Sequence, residues 1–192
     1  LSSAASDVYK RQVQYGMESI HIPANHIINT PSTVQGTGTE RRDISMTHVN
    51  VYTASGIKSV RPSDGYIAYV LETAYNGKVS TKAEVAPVQH MTANQSELQA
   101  LIMAVSKLNR PCELTIYTDS AHTASGYTQG WVDTWTVNGW ISSRGDEVHH
   151  RKEWQELTRL LSDHEFEFKI MQVHQYREKL VEMLKNGGTE NV

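Results

Sequence analysis

From His48 to Thr53 apolar and polar residues alternate, with Val49, Val51 and Thr53 on one face, which predicts a strand. Residues 55–64, SGIKSVRPSD, form a turn-rich break. Gly65 to Glu72 is rich in β-formers and predicts a second strand. Asn76-Gly77 is a two-residue hairpin signal that hands the chain to a third strand within Lys78–Val88. Thr92, with Gln95 three residues on, reads as a capping box. Leu98, Leu101, Ile102, Val105 and Leu108 then share one helical stripe, which ends at Asn109-Arg110-Pro111. A fourth strand from Cys112 to Thr118 sets Cys112, Leu114 and Ile116 against Glu113, Thr115 and Tyr117. Residues 120–138 read as one helix carrying Trp131 and Trp135. A loop over 141–149 precedes a helix with Trp154, Leu157, Leu160 and Leu161. Phe166, Phe168 and Ile170 alternate in a fifth strand from Glu165, and Tyr176 to Lys185 forms a last helix stopped by Asn186-Gly187-Gly188.

The predicted order is β-β-β-α-β-α-α-β-α. Hairpins make the opening strands antiparallel, while strands that follow helices add in parallel. The fold class is therefore α/β, a mixed five-stranded sheet with helices on both faces. Residues 46–186 are long enough for one core, and 187–192 are read as a tail.

Hydrophobic residues make up 39% and charged residues 20%, the balance of a globular protein rather than a disordered chain. No apolar run reaches the length of a membrane span, and the first residues lack a signal-peptide pattern. These features predict no membrane partner and a cytoplasmic location. The lone cysteine, Cys112, cannot form an internal disulfide and is expected in the core. With a net charge of −3, any nucleic-acid contact has to come from a local patch.

Three polar positions fall at strand ends or first helical turns along one edge. Asp119 follows strand four, Glu97 opens the first helix, and His174 and Glu178 lie between strand five and the last helix. Gathered carboxylates repel unless a cation bridges them, and Mg²⁺, with Mn²⁺ as a substitute, suits hard oxygen ligands beside a phosphate. Each residue also has a plainer reading. Asp119 or Ser120 could cap a helix, Glu97 could answer a helix dipole, and Glu178 could sit on an exposed helix face. His149 and His150 lack structural-zinc spacing. The tryptophans could stack on bases or pack inside, with Trp154 expected in the core and Trp131 or Trp135 partly exposed. Lys58 and Arg61, near the site entrance, could meet phosphates, but two charges in a loop are more often simply solvated.

Tyr117-Thr118-Asp119-Ser120, preceded by the run Thr92 to Leu98, resembles type 1 ribonuclease H. Val51-Tyr52-Thr53 and the spacing of Trp131, Trp135, Gly139-Trp140 and Trp154 extend the resemblance over residues 47 to about 186. The resemblance implies a ribonuclease H-like fold and a monomer that cuts the RNA strand of an RNA/DNA hybrid with two Mg²⁺ ions held by four carboxylates. By position it implies metal and catalytic roles for Glu97 and Asp119, and a catalytic role for His174, which helps product leave. It implies nucleic-acid contacts at Thr92, Asn94, Trp131, Trp135 and His150.

The sequence departs from the pattern where the first aspartate should follow Tyr-Thr: Ala54 stands there, and a methyl group binds no cation. The last aspartate has no clear match, and Glu178 is the nearest candidate for a metal-binding, catalytic replacement, with Asp43 a remote one. The reading is an endonuclease with impaired activity; the alternative is a non-catalytic hybrid-binding module, and a third is a protein-interaction domain without a nucleic-acid role.

Residues 1–45 fall outside these patterns. Scattered Pro, Gly, Thr, Asn and Ser in 13–45 read as linker or disorder. Asp7-Val8-Tyr9-Lys10-Arg11-Gln12 matches a translation of the transposon end used in library adapters, so 1–12 read as adapter. Glu40-Arg41-Arg42 can be encoded as a ribosome-binding site ahead of Met46. N-terminal sequencing of the native product is expected to start at Met46, and a peptide from 17–45 would end that expectation.

Overall fold

The computed structural model describes residues 46–187. The segment 1–45, read as adapter and linker, with Asp43, and all of the expected 187–192 tail beyond Gly187 lie outside the described residues. Five strands form one sheet: β1 (Thr47–Ser55), β2 (Ser63–Tyr75), β3 (Lys78–Met91), β4 (Cys112–Thr118) and β5 (Glu165–Ile170). Their order across the sheet is β3-β2-β1-β4-β5. β2 pairs antiparallel with β1 and β3, while β4 lies parallel to β1 and to β5. The expected mixed α/β sheet is thus present.

The described residues also form five helices: α1 (Ala93–Val105), α2 (Ala121–Thr128), α3 (Trp131–Val137), α4 (Arg151–Leu161) and α5 (Arg177–Asn186). The single helix expected over 120–138 is two. Gly130 at φ +69° caps α3 in the left-handed region, which glycine enters without steric cost, and the chain turns there.

Strand alternation sorts side chains to two faces. Val49 and Val51 of β1, Tyr69 of β2 and Leu114 and Ile116 of β4 pack with Leu98, Leu101, Trp154 and Leu157 from α1 and α4. Tyr52 and Ala54 of β1 point the other way, where they meet Ala68, Val70 and Leu180 of α5. The sheet therefore carries α1, α2 and α4 on one face and α5 on the other, and the ends of β1 and β4 emerge between them.

The hairpin signal holds: Tyr75 pairs with Lys78 around Asn76 (φ 49°) and Gly77 (φ 73°), both left-handed as a type I′ turn requires. Thr92 caps α1 by accepting from the Gln95 amide at 3.3 Å. The reciprocal half of the capping box is absent, because the Gln95 side chain donates instead to Glu153 Oε1 at 2.7 Å, tying α1 to α4. Cys112 is buried, as expected.

Trp154 is fully buried and fills the centre of the larger core, with no partner for its indole N–H among the described residues. A Cβ at Gly126 of α2 would lie 2.4 Å from the Trp154 ring. Replacing a helical glycine by alanine ordinarily gains about 0.5–1 kcal/mol. Here overpacking against a confined indole reverses the sign, and Gly126→Ala is expected to lower unfolding free energy by about 1–3 kcal/mol in urea titration. A stabilised variant would show that the ring has room to move.

Candidate carboxylate site

β1 runs to Ser55, one residue beyond Ala54, and the chain turns at Gly56, whose amide donates to Tyr66 O at 2.9 Å. Ser55 Oγ lies 2.7 Å from Ser96 Oγ of α1 and accepts from the Ile57 amide at 3.0 Å. Ile57 is buried beneath the loop, and Ser59 O accepts from the Ala93 amide at 2.9 Å. The backbone on either side of Lys58 is therefore fixed against α1. That turn-rich stretch is an ordered bridge rather than a solvated break.

Glu97 follows Ser96 on the same buried flank of α1 and is only 6% exposed. Asp119 stands at the end of β4, where Thr118 Oγ1 accepts from the Ser120 amide. Asp119 is not the helix cap: Ser120 Oγ takes the Thr123 amide at 3.2 Å, so Asp119 is released to face the site. Lys58 Nζ sits 3.7 Å from Glu97 Oε1 and 3.7 Å from Asp119 Oδ2. Arg177 Nη1 approaches Asp119 Oδ2 from α5 at 3.5 Å. The two retained acids thus meet around one ammonium, with a guanidinium on the far side.

Burial pushes the Glu97 carboxyl up to about 7, and the neighbouring Asp119 charge pushes the same way. Lys58 and Arg177 oppose the shift without cancelling it. Glu97 Oε2 is buried with no hydrogen-bond partner among the described residues.

Glu178 does not join this pair. It is exposed on α5, and Arg177, one residue earlier, is the side chain that faces Asp119. Successive helical residues differ by about 100°, so a one-residue offset removes a side chain from the site. Leu180, buried in the core, shares a helix face with Arg177 three residues before it and fixes this rotation. No group of three His, Cys, Asp or Glu side chains that could hold a metal ion occurs among the described residues. The described side chains form no cage for two ions: Glu178 stands apart, Arg177 faces Asp119 instead, and Lys58 lies between Glu97 and Asp119.

His174 is held by aromatic packing. Its ring lies 4.9 Å from Tyr52, which stacks on Tyr117 at 4.6 Å and meets Tyr176 edge-on at 5.0 Å. Its Nδ1 accepts from the Tyr176 amide at 3.3 Å. Burial, with Arg177 nearby, lowers its pKa, so the neutral ring is favoured.

Around the α1 start, Thr92 Oγ1 is 3.2 Å from His150 Nε2, and Asn94 is exposed. Burial lowers the His150 pKa. Trp131 and Trp135 are half-buried on α3, 6.1 Å apart, and Trp135 lies 5.4 Å from the buried Trp154. The aromatic helix is thus partly core and partly surface, as expected. Arg61 stays exposed. Arg177 is the side chain at this site that composition and spacing did not single out, and the convergence of Lys58 on both acids was not readable either; the apolar Ile57 inside a polar loop and the i, i+3 relation of Arg177 to Leu180 are the available signals.

The family model for RNase H matches residues 46–181. A ribonuclease H of Acetivibrio thermocellus is 38% identical over 119 residues, covering 62% of this chain and 78% of that protein. One from Legionella pneumophila is 33% identical over 146 residues, covering 75% of this chain and 98% of its own. A crystal structure of a type 1 RNase H with the type 2 active-site motif superposes with a TM-score of 0.64 at 20% identity, covering 78% of this chain and 76% of that one. A foamy viral protease-reverse transcriptase in complex with an RNA/DNA hybrid superposes at 0.55 and 17% identity, covering 83% of this chain and 22% of that one. At these identities the structural matches speak for the fold.

The Glu97 shift makes stability depend on pH. Unfolded, the carboxyl ionises near its ordinary value of 4.5; folded, near 7. Between those values the folded state holds a proton that the unfolded state lacks, so stability falls as pH rises through the window and stays lower above it. Glu97→Gln is therefore expected to be more stable than the unaltered chain above pH 7, with the difference fading towards pH 4.5. Paired thermal melts across this range would show it, and a pH-independent difference would refute the assignment.

Proposed function

The chain belongs to the ribonuclease H family, and from that premise we propose that it recognises RNA/DNA hybrids while hydrolysing them poorly or not at all. One observation carries this reading: Glu97 and Asp119 are bridged by Lys58 and backed by Arg177, while Ala54, at the end of β1, offers only a methyl group packed on the α5 side. Catalysis by two divalent ions needs a dense cage of oxygen ligands. An ammonium and a guanidinium placed among two acids repel such ions and offer them no ligand.

Hybrid binding requires less. A hybrid is read through a wide minor groove and the 2′-hydroxyls of its RNA strand, using polar contacts and aromatic surfaces. Thr92 and His150 stand side by side, Asn94 is open to solvent next to them, and Trp131 and Trp135 present ring surface on α3. We assign these five side chains to the two strands' backbones. A structural neighbour, the foamy viral protein, holds such a hybrid. No helix among the described residues is long and apolar enough to cross a membrane.

A second reading, divalent-metal-dependent hydrolysis through Glu97 and Asp119, is favoured by one detail. Glu97 keeps a buried oxygen, Oε2, without a partner. Here Lys58, 64% exposed at its side chain, would have to swing out for an ion to enter.

Cleavage of a labelled RNA/DNA hybrid by the full chain separates the two. With Mg²⁺ or Mn²⁺, the unaltered protein is expected to cut no faster than Asp119→Asn. Ala54→Asp combined with Arg177→Asp is expected to restore metal-dependent cutting, and Ala54→Asp alone is expected to fall well short. Cleavage by the unaltered chain that Asp119→Asn abolishes would establish the second reading. Failure to bind hybrid under any condition would remove both.

A further inference from the structure

Resting on the hybrid-binding reading, we infer that Lys58, Arg177 and Lys185 form a built-in cation site that seats a nucleic-acid phosphodiester at the β1–α5 junction without a metal ion. A pocket of about 330 Å³ opens there, lined by Ala54, Lys58, Arg177 and Lys185 with Val181 and Leu184 as its apolar wall. At about 30 Å³ for each water volume, this is room for a phosphate and its sugar. The short Ala54 side chain helps keep it open: a longer residue at the end of β1 would project into the space between sheet and α5.

The charges fit an anion. Lys58, Arg177 and Lys185 line the pocket and no acid does, so its lining is positive, opposite to a phosphodiester. Arg177 directs one N–H towards Asp119, and a guanidinium has five donors in a rigid fork suited to phosphate. Lys185 has no hydrogen-bond or ion-pair partner among the described residues and faces the same pocket from the last turn of α5. Arg177 also opens α5, whose N-cap, Tyr176, makes no side-chain cap bond. The amides of that first turn add positive potential beside the pocket. Val181 and Leu184 give the sugar an apolar surface.

The arrangement is built rather than incidental. Ile57 is buried on one side of Lys58, and the Ser59 carbonyl is bonded to α1 on the other, so the backbone that carries the ammonium is fixed at the pocket. Asp119 engages both Lys58 and Arg177 and keeps the two heads converged. In this account the acids orient resident cations, and those cations meet the phosphate.

The test is hybrid binding by the full chain, read by fluorescence anisotropy in EDTA and again with Mg²⁺. Affinity is expected to be the same in both. Lys58→Ala with Arg177→Ala should weaken binding in EDTA at least about tenfold and lower the salt-dependence slope by about 2, near 1 for each phosphate-facing cation lost. Lys58→Arg with Arg177→Lys should keep most of the affinity, and Lys185→Gln should lower the slope by about 1. Thermal melts of each variant check that the fold is intact. Binding that appears only with Mg²⁺ overturns the inference and leaves the hybrid reading standing. Absence of binding in both conditions overturns the two together. Unchanged hybrid affinity in the double alanine variant overturns the nucleic-acid assignment, and loss of inorganic-phosphate binding in that variant would then assign the pocket to free phosphate.

Discussion

Two acidic side chains brought together at the end of a sheet repel each other, and one of them here is almost wholly withdrawn from water. Something positive has to stand between them, or one must take up a proton. In this chain Lys58 supplies the charge, Arg177 adds a second cation on the outer side, and Glu97 is driven towards the protonated form. The nearby architecture serves that balance. The seryl pair Ser55 and Ser96 ties the end of β1 to α1, Ile57 anchors the loop, and Leu180 sets the rotation of α5. Where the family resemblance implies four acids around mobile ions, this chain has two acids around fixed cations.

Exchanging an ion for side chains alters more than the sign of the local field. A bound ion's occupancy depends on its concentration; Lys58 and Arg177 are always present. A bound ion also polarises the atoms it touches, whereas an ammonium on a flexible stem mainly offers charge and hydrogen bonds. The same geometry is thus poor for breaking a phosphodiester and well suited to holding one. The aromatic stack of Tyr52, Tyr117, Tyr176 and His174 points the same way, since it fixes the histidine against the sheet.

Much of this was legible before any coordinates. Period-two alternation marks β1, β4 and β5, β-former content marks β2 and the Asn76-Gly77 signal marks β3; β5 begins at the residue expected, Glu165. The Thr92 cap and the Asn76-Gly77 turn were readable because each depends on contacts within a few residues. Glu97 and Asp119 were readable because strand ends and first helical turns place polar groups at one edge. What escaped depended on rotation and distant partners. Glu178 is the acid nearest in sequence, but Arg177 is the residue that faces Asp119, because chain position alone does not show which side of α5 faces the sheet; the burial of Leu180 does. Lys58 looked solvated because the tie between Ser59 and Ala93 crosses 34 residues of chain. The helix expected over 120–138 is divided by the left-handed backbone of Gly130, which the pattern of apolar positions does not encode.

The far hairpin has a reach that its exposed position conceals. β2 and β3 stay in register from the Tyr75–Lys78 pair back to Gly65–Val88. At about 3.3 Å per residue, the ten steps from Tyr75 to Gly65 span about 33 Å. Side chains alternate along that length, so one residue gained or lost at the Asn76-Gly77 turn would slide β3 against β2 by a step. That would reverse which faces of the two strands match. The shift would arrive where Gly65 lies against Ile57, so close that even a Cβ would come within 2.7 Å of the Ile57 side chain. Ile57 is the anchor of Lys58. A two-residue turn at one end of the molecule therefore acts as a length gauge for the placement of a single ammonium at the other.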